Sequence, residues 1–315
     1  DLAERFRMIA GGAPVPRVTD PRALFGAAGD GTPGRVGGVR GIVDVLRGRG
    51  LPAPEPGRPS PEAGRAQLAI LDAAAEMVRS GAARALVTGP TSKEAAVAAG
   101  IPFRGQTEYL AARSGLPEDA VSMLFLGPRL RVGLVTTHLP LRAVSEAVTQ
   151  PRVVRTARHL AEALVAAGAA GQGGSPPGLV VAGVNPHAGE GGLFGDEEIR
   201  VIRPALDELA GLPPFVDGRV ALLGLRPAEA AFRMAADQRV AGVVAMAHDQ
   251  ATIASKLLDW GAAVNVTWGL PYLRTSVDHG VAYDIVGTRT ADADGMRAAL
   301  RLADQLTGPR EGLGR

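Results

Sequence analysis

The chain has 315 residues, 46% of them hydrophobic, enough to bury one large core or two of medium size. It has no cysteine, which excludes disulfides, thiolate metal sites and thiol catalysis. Net charge is +2 and the arginines are scattered without interleaved aromatics, so no nucleic-acid partner is expected. No apolar stretch is long enough to span a bilayer and DLAERFRMIAGG lacks the apolar centre of a secretory signal, which predicts a cytoplasmic enzyme without membrane contact.

Residues 1–60 are rich in Gly and Pro and read as irregular, with one apolar stretch at GIVDVL. Ser60 and Pro61 then predict a helix start, with LAILDAAAEMV as the body and Gly81 as the end. ARALVTGP reads as a strand and turn. TSKEAAVAAG follows as a short helix capped by Thr91, and QTEYLAARSG as another helix. VSMLFLG and LRVGLVTTH are apolar strands, and PRVVRTARHLAEALVAAG is a long helix leading into AAGQGGSPPG, a flexible linker by composition. LVVAGVNPH, VAGVVAMAHDQ and AAVNVTWG read as further strands. DEEIRVIRPALDELA, PAEAAFRMAAD, IASKLLDWG and ADGMRAALRLADQL read as helices. The alternation gives an α/β class with largely parallel sheets and flanking helices, arranged as a single two-lobed chain over 1–315.

Three of the five histidines share one setting. His138, His187 and His248 each follow an apolar run and sit where open α/β sheets place ligands, past the carboxyl end of a strand. Imidazole suits Zn, Co, Ni or Fe, so the three are a candidate metal set. His159 lies within a helix and reads as structural, while His279 sits in a turn. The stretch VNPHAGEGGLFGDEE places four glycines around His187, which lets backbone approach a ligand. Its acidic trio Asp196, Glu197 and Glu198 reads as helix capping. Only Lys93 and Lys256 are lysines among 34 basic residues, which marks them as positions wanting a compact ammonium. Lys93, in VTGPTSKEA, is a candidate point charge beside an anion-cradling turn. Neither a Walker motif nor a GxGxxG after a strand occurs. Lys256 and Arg274 suit phosphate or carboxylate, and Asn265 can both donate and accept.

GIPFRGQTEYLA, LRVGLVTTHLPL, VNPHAGEGGLFGDEE, AMAHDQ and NVTWGLPYLRTSVDHG, in this order across residues 60 to 305, resemble the 4-hydroxythreonine-4-phosphate dehydrogenase family of pyridoxal-phosphate biosynthesis. The resemblance implies an isocitrate/isopropylmalate-dehydrogenase-like fold with two subdomains around a cleft. It also implies a homodimer with a shared active site, and NAD or NADP as cofactor. One divalent metal (Zn, Co or Mg) per subunit would be held by His138, His187 and a His248 contributed by the partner. Substrate contacts would fall on Gln106, Thr107, Lys256, Asn265 and Arg274, with Asp249 and Lys256 as candidates for the base. The implied reaction oxidises 4-phosphohydroxy-L-threonine to a 3-keto acid that decarboxylates to 3-amino-2-oxopropyl phosphate. The chain departs from the family in several places. The usual Gly-Asp-Pro-x-Gly-Ile-Gly-Pro-Glu turn is missing, which reads as loss of the first α/β unit. Gln106 replaces a His, Ala247 a Tyr, and Glu229-Ala230 an Asp-Thr pair. These changes keep open a dehydrogenase of a four-carbon sugar-acid 4-phosphate, such as threonate or erythronate, and a non-catalytic paralogue. A phosphate acyltransferase also shares the fold, but its chemistry needs no histidine triad.

Overall fold

A computed structural model describes residues 17–18, 42–43 and 45–308. Two two-residue strands, β1 (Arg17–Val18) and β2 (Ile42–Val43), pair in parallel ahead of the short helix α1 (Val45–Gly48). The rest of 1–44, and with it the expected absence of a first α/β unit, lies outside the described residues.

The chain forms two compact units. The smaller takes in residues up to Leu86, Thr91–Arg113 and Gly280–Ala291. The larger takes in Val87–Pro90, Ser114–His279 and residues from Asp292 onward. In the smaller unit, α2 (Pro61–Arg79) starts as its sequence predicts. The Ser60 side chain accepts from Ala63 N at 3.1 Å and Pro61 occupies the first turn. It packs closely on α3 (Lys93–Ala98), because a Cβ at Gly64 would lie 2.0 Å from the Ala95 carbonyl oxygen. The cap of α3 is Ser92, one residue later than expected, with its hydroxyl accepting from Ala95 N. On α4 (Gln106–Arg113), Tyr109 and Arg113 both bond Asp72 of α2.

The larger unit is built on an eight-stranded mixed sheet in the order β3-β10-β9-β4-β5-β8-β6-β7. The strands are β3 (Ala85–Thr88), β4 (Ser122–Leu126), β5 (Arg131–Leu134), β6 (Gly178–Ala182), β7 (Ala221–Arg226), β8 (Gly242–Ala245), β9 (Val264–Trp268) and β10 (Leu273–Ser276). From β5 through β8 and β6 to β7 every pairing is parallel, while the pairings β10–β9, β9–β4 and β4–β5 are antiparallel. The α/β class holds, with the parallel half of the sheet carrying the histidines.

β6 and β8 are buried along their whole length. Their side chains alternate between two cores. Leu179, Val181 and Val244 join one face with Leu160 and Leu164 of α6 (Gln150–Ala166) and Leu209 of α7 (Arg203–Ala210). Val180, Ala182, Val243 and Ala245 join the other with Ala231 and Ala235 of α8 (Ala228–Ala236) and Ala251 of α9 (His248–Leu258). Each fully buried Leu or Val contributes about 1.5–3 kcal/mol. Two-sided burial is why these strands read as unbroken apolar runs. The helix α10 (Asp294–Thr307) closes the chain over β10.

Two readings change. β7 is not among the strands expected from sequence, although residues 220–225 read VALLGL; it is an edge strand of intermediate burial. The segment 169–178 is no flexible linker. It lies inside the larger unit, with Gly171 N donating to Ser175 O and Ser175 Oγ to Gln172 O, both at 2.8 Å. Gly-rich composition there reflects a tight turn between α6 and β6, not chain freedom.

Candidate active site

β5, β8 and β6 stand side by side in parallel, with Leu134 level with Ala245 and Val181 level with Val244. His138 follows β5, His248 follows β8 and His187 follows β6, so the pairing delivers all three to one end of the sheet. His138 and His248 lie side by side, ring centroids 5.3 Å apart. The His187 ring stands against Phe194 at 6.3 Å. Among the described residues, no three His, Cys, Asp or Glu side chains gather closely enough to hold a metal. One chain therefore brings two of the three histidines together. The resemblance had His248 join the other two from a partner subunit, but the chain itself sets His248 beside His138.

The donor chemistry fits a divalent ion. His248 Nδ1 is 2.8 Å from Asp249 Oδ1. With Nδ1–H directed at that carboxylate, Nε2 carries the lone pair a metal needs. Asp249, a candidate for the base, is thus already engaged in orienting an imidazole.

Lys256 projects from α9. Its Nζ is 2.9 Å from Asp278 Oδ2, donates to the Asp278 carbonyl, and lies 5.6 Å from the Trp260 ring centroid. These groups line a cavity of about 280 Å³ with Asp259, His279, Asp292 and Gly295. Arg274, on β10, is 3% exposed. Its guanidinium donates to Thr88 Oγ1 at 2.9 and 3.2 Å and to Thr267 Oγ1 at 3.0 Å, bracing three strands. Asn265, on β9, keeps its Oδ1 buried and without a hydrogen bond within the chain. Such an acceptor costs about 1–3 kcal/mol unless a ligand supplies a donor.

Gln106 and Thr107 open α4 in the smaller unit. Thr107 is buried, and the Gln106 amide donates to the Thr91 hydroxyl. At the turn beside Lys93, read as a candidate anion cradle, Ser92 N donates to Gln67 Oε1 at 2.9 Å and Ala95 N to the Ser92 cap, so these two N–H groups are already used; Lys93 is exposed. His159, read as structural from its helix position, is half-buried on α6. Burial pushes its pKa down to about 4, and its Nδ1 is 2.9 Å from Ser122 Oγ.

Sequence reasoning missed Asp278, Trp260 and the depth of Glu198. Asp278 flanks Lys256 only after α9 and the segment following β10 are packed, so no local spacing signals it, whereas Trp260 stands four residues after Lys256 just past the end of α9, a neighbour at helical spacing. Glu198 was read as one of three capping acids, yet it is 1% exposed. Asp196 alone behaves as expected, pairing with Arg200 on the surface. Glu197 accepts from the Ser145 hydroxyl and from Asn185 Nδ2, and these two bonds hold its carboxyl below the usual range.

Residues 25–303 match the family model described as pyridoxal phosphate biosynthetic protein PdxA. A 4-hydroxythreonine-4-phosphate dehydrogenase from Aromatoleum aromaticum is 41% identical over 309 residues, 98% of this chain and 87% of that protein. One from Chromobacterium violaceum is 44% identical over 268 residues, 85% and 78% of the two chains. Among solved structures, a 4-hydroxythreonine-4-phosphate dehydrogenase from Burkholderia phymatum superposes with a TM-score of 0.70 at 36% identity, covering 98% of this chain and 86% of that one. A terephthalate 1,2-cis-dihydrodiol dehydrogenase from Burkholderia xenovorans gives 0.60 at 32% identity, covering 81% and 78%. The strand-end histidines thus stand in a chain matched along nearly its whole described length, and the chain belongs to the PdxA family of pyridoxal phosphate biosynthetic proteins.

Proposed function

We infer that the chain is a metal-dependent, NAD(P)-linked dehydrogenase. Its substrate in this reading is 4-phosphohydroxy-L-threonine, oxidised to a 3-keto acid that loses CO2 to give 3-amino-2-oxopropyl phosphate. The observation that carries this reading is the run of three adjacent parallel strands each ending in histidine, in a chain of this family.

A divalent metal held by His138, His187 and His248 supplies Lewis acidity that lowers the pKa of a substrate hydroxyl, and NAD(P) supplies the hydride acceptor. Three imidazoles favour zinc or cobalt over magnesium. Asp249 fixes the ring of His248. Lys256, held out by Asp278 and Trp260, is a cation suited to phosphate. Arg274 would join it by exchanging neutral hydroxyl partners, Thr88 and Thr267, for phosphate oxygens. The Asn265 acceptor takes a substrate amine or hydroxyl proton. Since Asp249 and Lys256 are both engaged elsewhere, we assign them to orientation and binding, not to proton abstraction.

We also propose that a second copy completes the site. Each histidine is followed by exposed apolar side chains: Leu141 after His138, Leu193 and Phe194 after His187, and Ile253, Leu257 and Trp260 after His248. The last three share one face of α9 and its end, at 60%, 80% and 79% exposure, and such a stripe calls for a partner.

A second reading keeps the fold and changes the substrate to a four-carbon sugar-acid 4-phosphate. Gln106 favours it: a neutral amide replaces a group able to carry charge, where the missing amine would be felt. The test is NAD(P) reduction by purified, metal-loaded protein on both substrates. Reduction on 4-phosphohydroxy-L-threonine with release of CO2 supports the main reading. Reduction on threonate or erythronate 4-phosphate alone replaces it, and activity on neither overturns both.

A further inference from the structure

We propose that Glu198 is a positioning residue whose buried carboxylate holds the turn that aims His187. The proposal rests on His187 as a metal ligand.

After Pro186 the backbone runs left-handed for five residues in succession: His187 (φ 53°), Ala188 (53°), Gly189 (75°), Glu190 (43°) and Gly191 (70°). Three of these are not glycine, and side chains disfavour that region. Backbone strain persists only where its surroundings over-determine it. The Glu198 carboxylate is central to those surroundings. Glu198 Oε1 accepts from Val184 N and Asn185 N, both at 2.8 Å, and Oε2 accepts from Asn185 Nδ2 at 2.9 Å. The same Nδ2 donates to Glu197 at 2.6 Å.

The turn wraps this carboxylate closely. A Cβ on Gly189 would lie 2.8 Å from Glu198 Oε2, and one on Gly183 would lie 3.1 Å from Oε1 and 2.9 Å from Ala188 Cα. Glu198 also opens a π-helical turn, Glu198–Ile202, ahead of α7, and single π turns occur often at functional sites. An acid serving only the helix dipole belongs at the surface, as Asp196 is. A fully buried carboxylate is costly unless its bonds do something, and three of its bonds end on the two residues that launch the His187 turn.

The experiment compares Glu198→Gln with wild type by two readouts. Calorimetric titration of metal-free protein with Co2+ is expected to show affinity falling about 10- to 100-fold, the size of effect seen when groups behind a metal ligand are lost. Hydrogen exchange of the metal-free protein is expected to speed up in residues 187–191, without a matching change in α6. Asp196→Asn should leave both readouts at wild-type values. If Glu198→Gln does not fold, Asn185→Ala deletes the side-chain bonds to Glu198 and Glu197 while keeping the two backbone bonds to Glu198, and should show the same direction at about 3- to 10-fold. Wild-type Co2+ affinity and wild-type exchange in a folded variant overturn the proposal. If His187→Ala binds Co2+ as well as wild type, the ligand reading fails instead, and exchange in 187–191 still decides whether Glu198 holds the turn.

Discussion

The chain leaves β8 and β6 in opposite ways. Past β8 it enters a right-handed helix at once. His248 is the first residue of α9, and Gln250 accepts from Met246 N and Ala247 N at 3.0 and 3.1 Å. No residue there has positive φ. Past β6 it enters a left-handed run of five residues, two of them glycine, braced by a buried glutamate and an asparagine. A helix start presents one imidazole without backbone strain. A turn that must fold back beside the sheet presents another only with dedicated support. The two strand ends therefore differ in what a mutation can break: the side chain at His248, and side chain plus scaffold at His187.

The largest expected effect is loss of metal. His187→Ala and His248→Ala should each lower bound Co2+ or Zn2+ by more than about 100-fold in affinity, beyond what second-sphere changes produce. A full equivalent of tight metal in either variant breaks the site assignment. Mixing these two inactive variants then asks how the site is divided between subunits. If sites are shared in a dimer, subunit exchange makes heterodimers with one doubly damaged and one intact site, so each heterodimer has about half of wild-type activity and a randomly exchanged equal mixture about a quarter. No recovery would mean each chain builds its own site.

Lys256→Ala comes next. A charge-assisted bond to phosphate contributes about 1.5–3 kcal/mol, so kcat/KM should fall about 10- to 150-fold on phosphorylated substrate. Unchanged kinetics would remove Lys256 from the phosphate site. Asp249→Asn is milder at the β8 end. It keeps a hydrogen-bond acceptor for Nδ1 but removes the charge, and metal affinity should drop about 10-fold while the fold is untouched. A drop as large as that of His248→Ala would mean that Asp249 is itself a ligand.

The two strand ends also mark where sequence was legible. Alternating cores on β6 and β8 made those strands visible as apolar runs, and the histidines after them were visible by position alone. α2 was legible because Ser60 and Pro61 act locally. Glu198 was misread because its partners, Val184 and Asn185, are reached by a turn whose handedness residue types do not announce. Asp278 was missed because it meets Lys256 only when β10 and α9 are packed, 22 residues apart. β7 escaped although residues 220–225 are apolar, because Gly224 interrupts the run and weakens the strand signal. Local chemistry was readable, and contacts set by long-range packing were not.

The smallest expected effect lies away from the strand-end histidines, at His159 of α6. His159 is neutral in the fold because burial holds its pKa at about 4, against 6.5 when unfolded. The unfolded chain therefore binds more protons between these values. The stabilisation is fully present above pH 6.5 and is lost as pH falls toward 4. Between pH 7 and pH 6 the loss is about 0.7 kcal/mol, and it grows below that. Urea midpoints at the two pH values should show wild type losing this much more than His159→Gln, which cannot titrate. Metal binding by His159→Gln should match wild type, because its ring faces Ser122 and not the strand ends. Equal pH sensitivity in the two proteins would mean that His159 is hydrated in solution, and that the acid sensitivity of the fold comes from other groups.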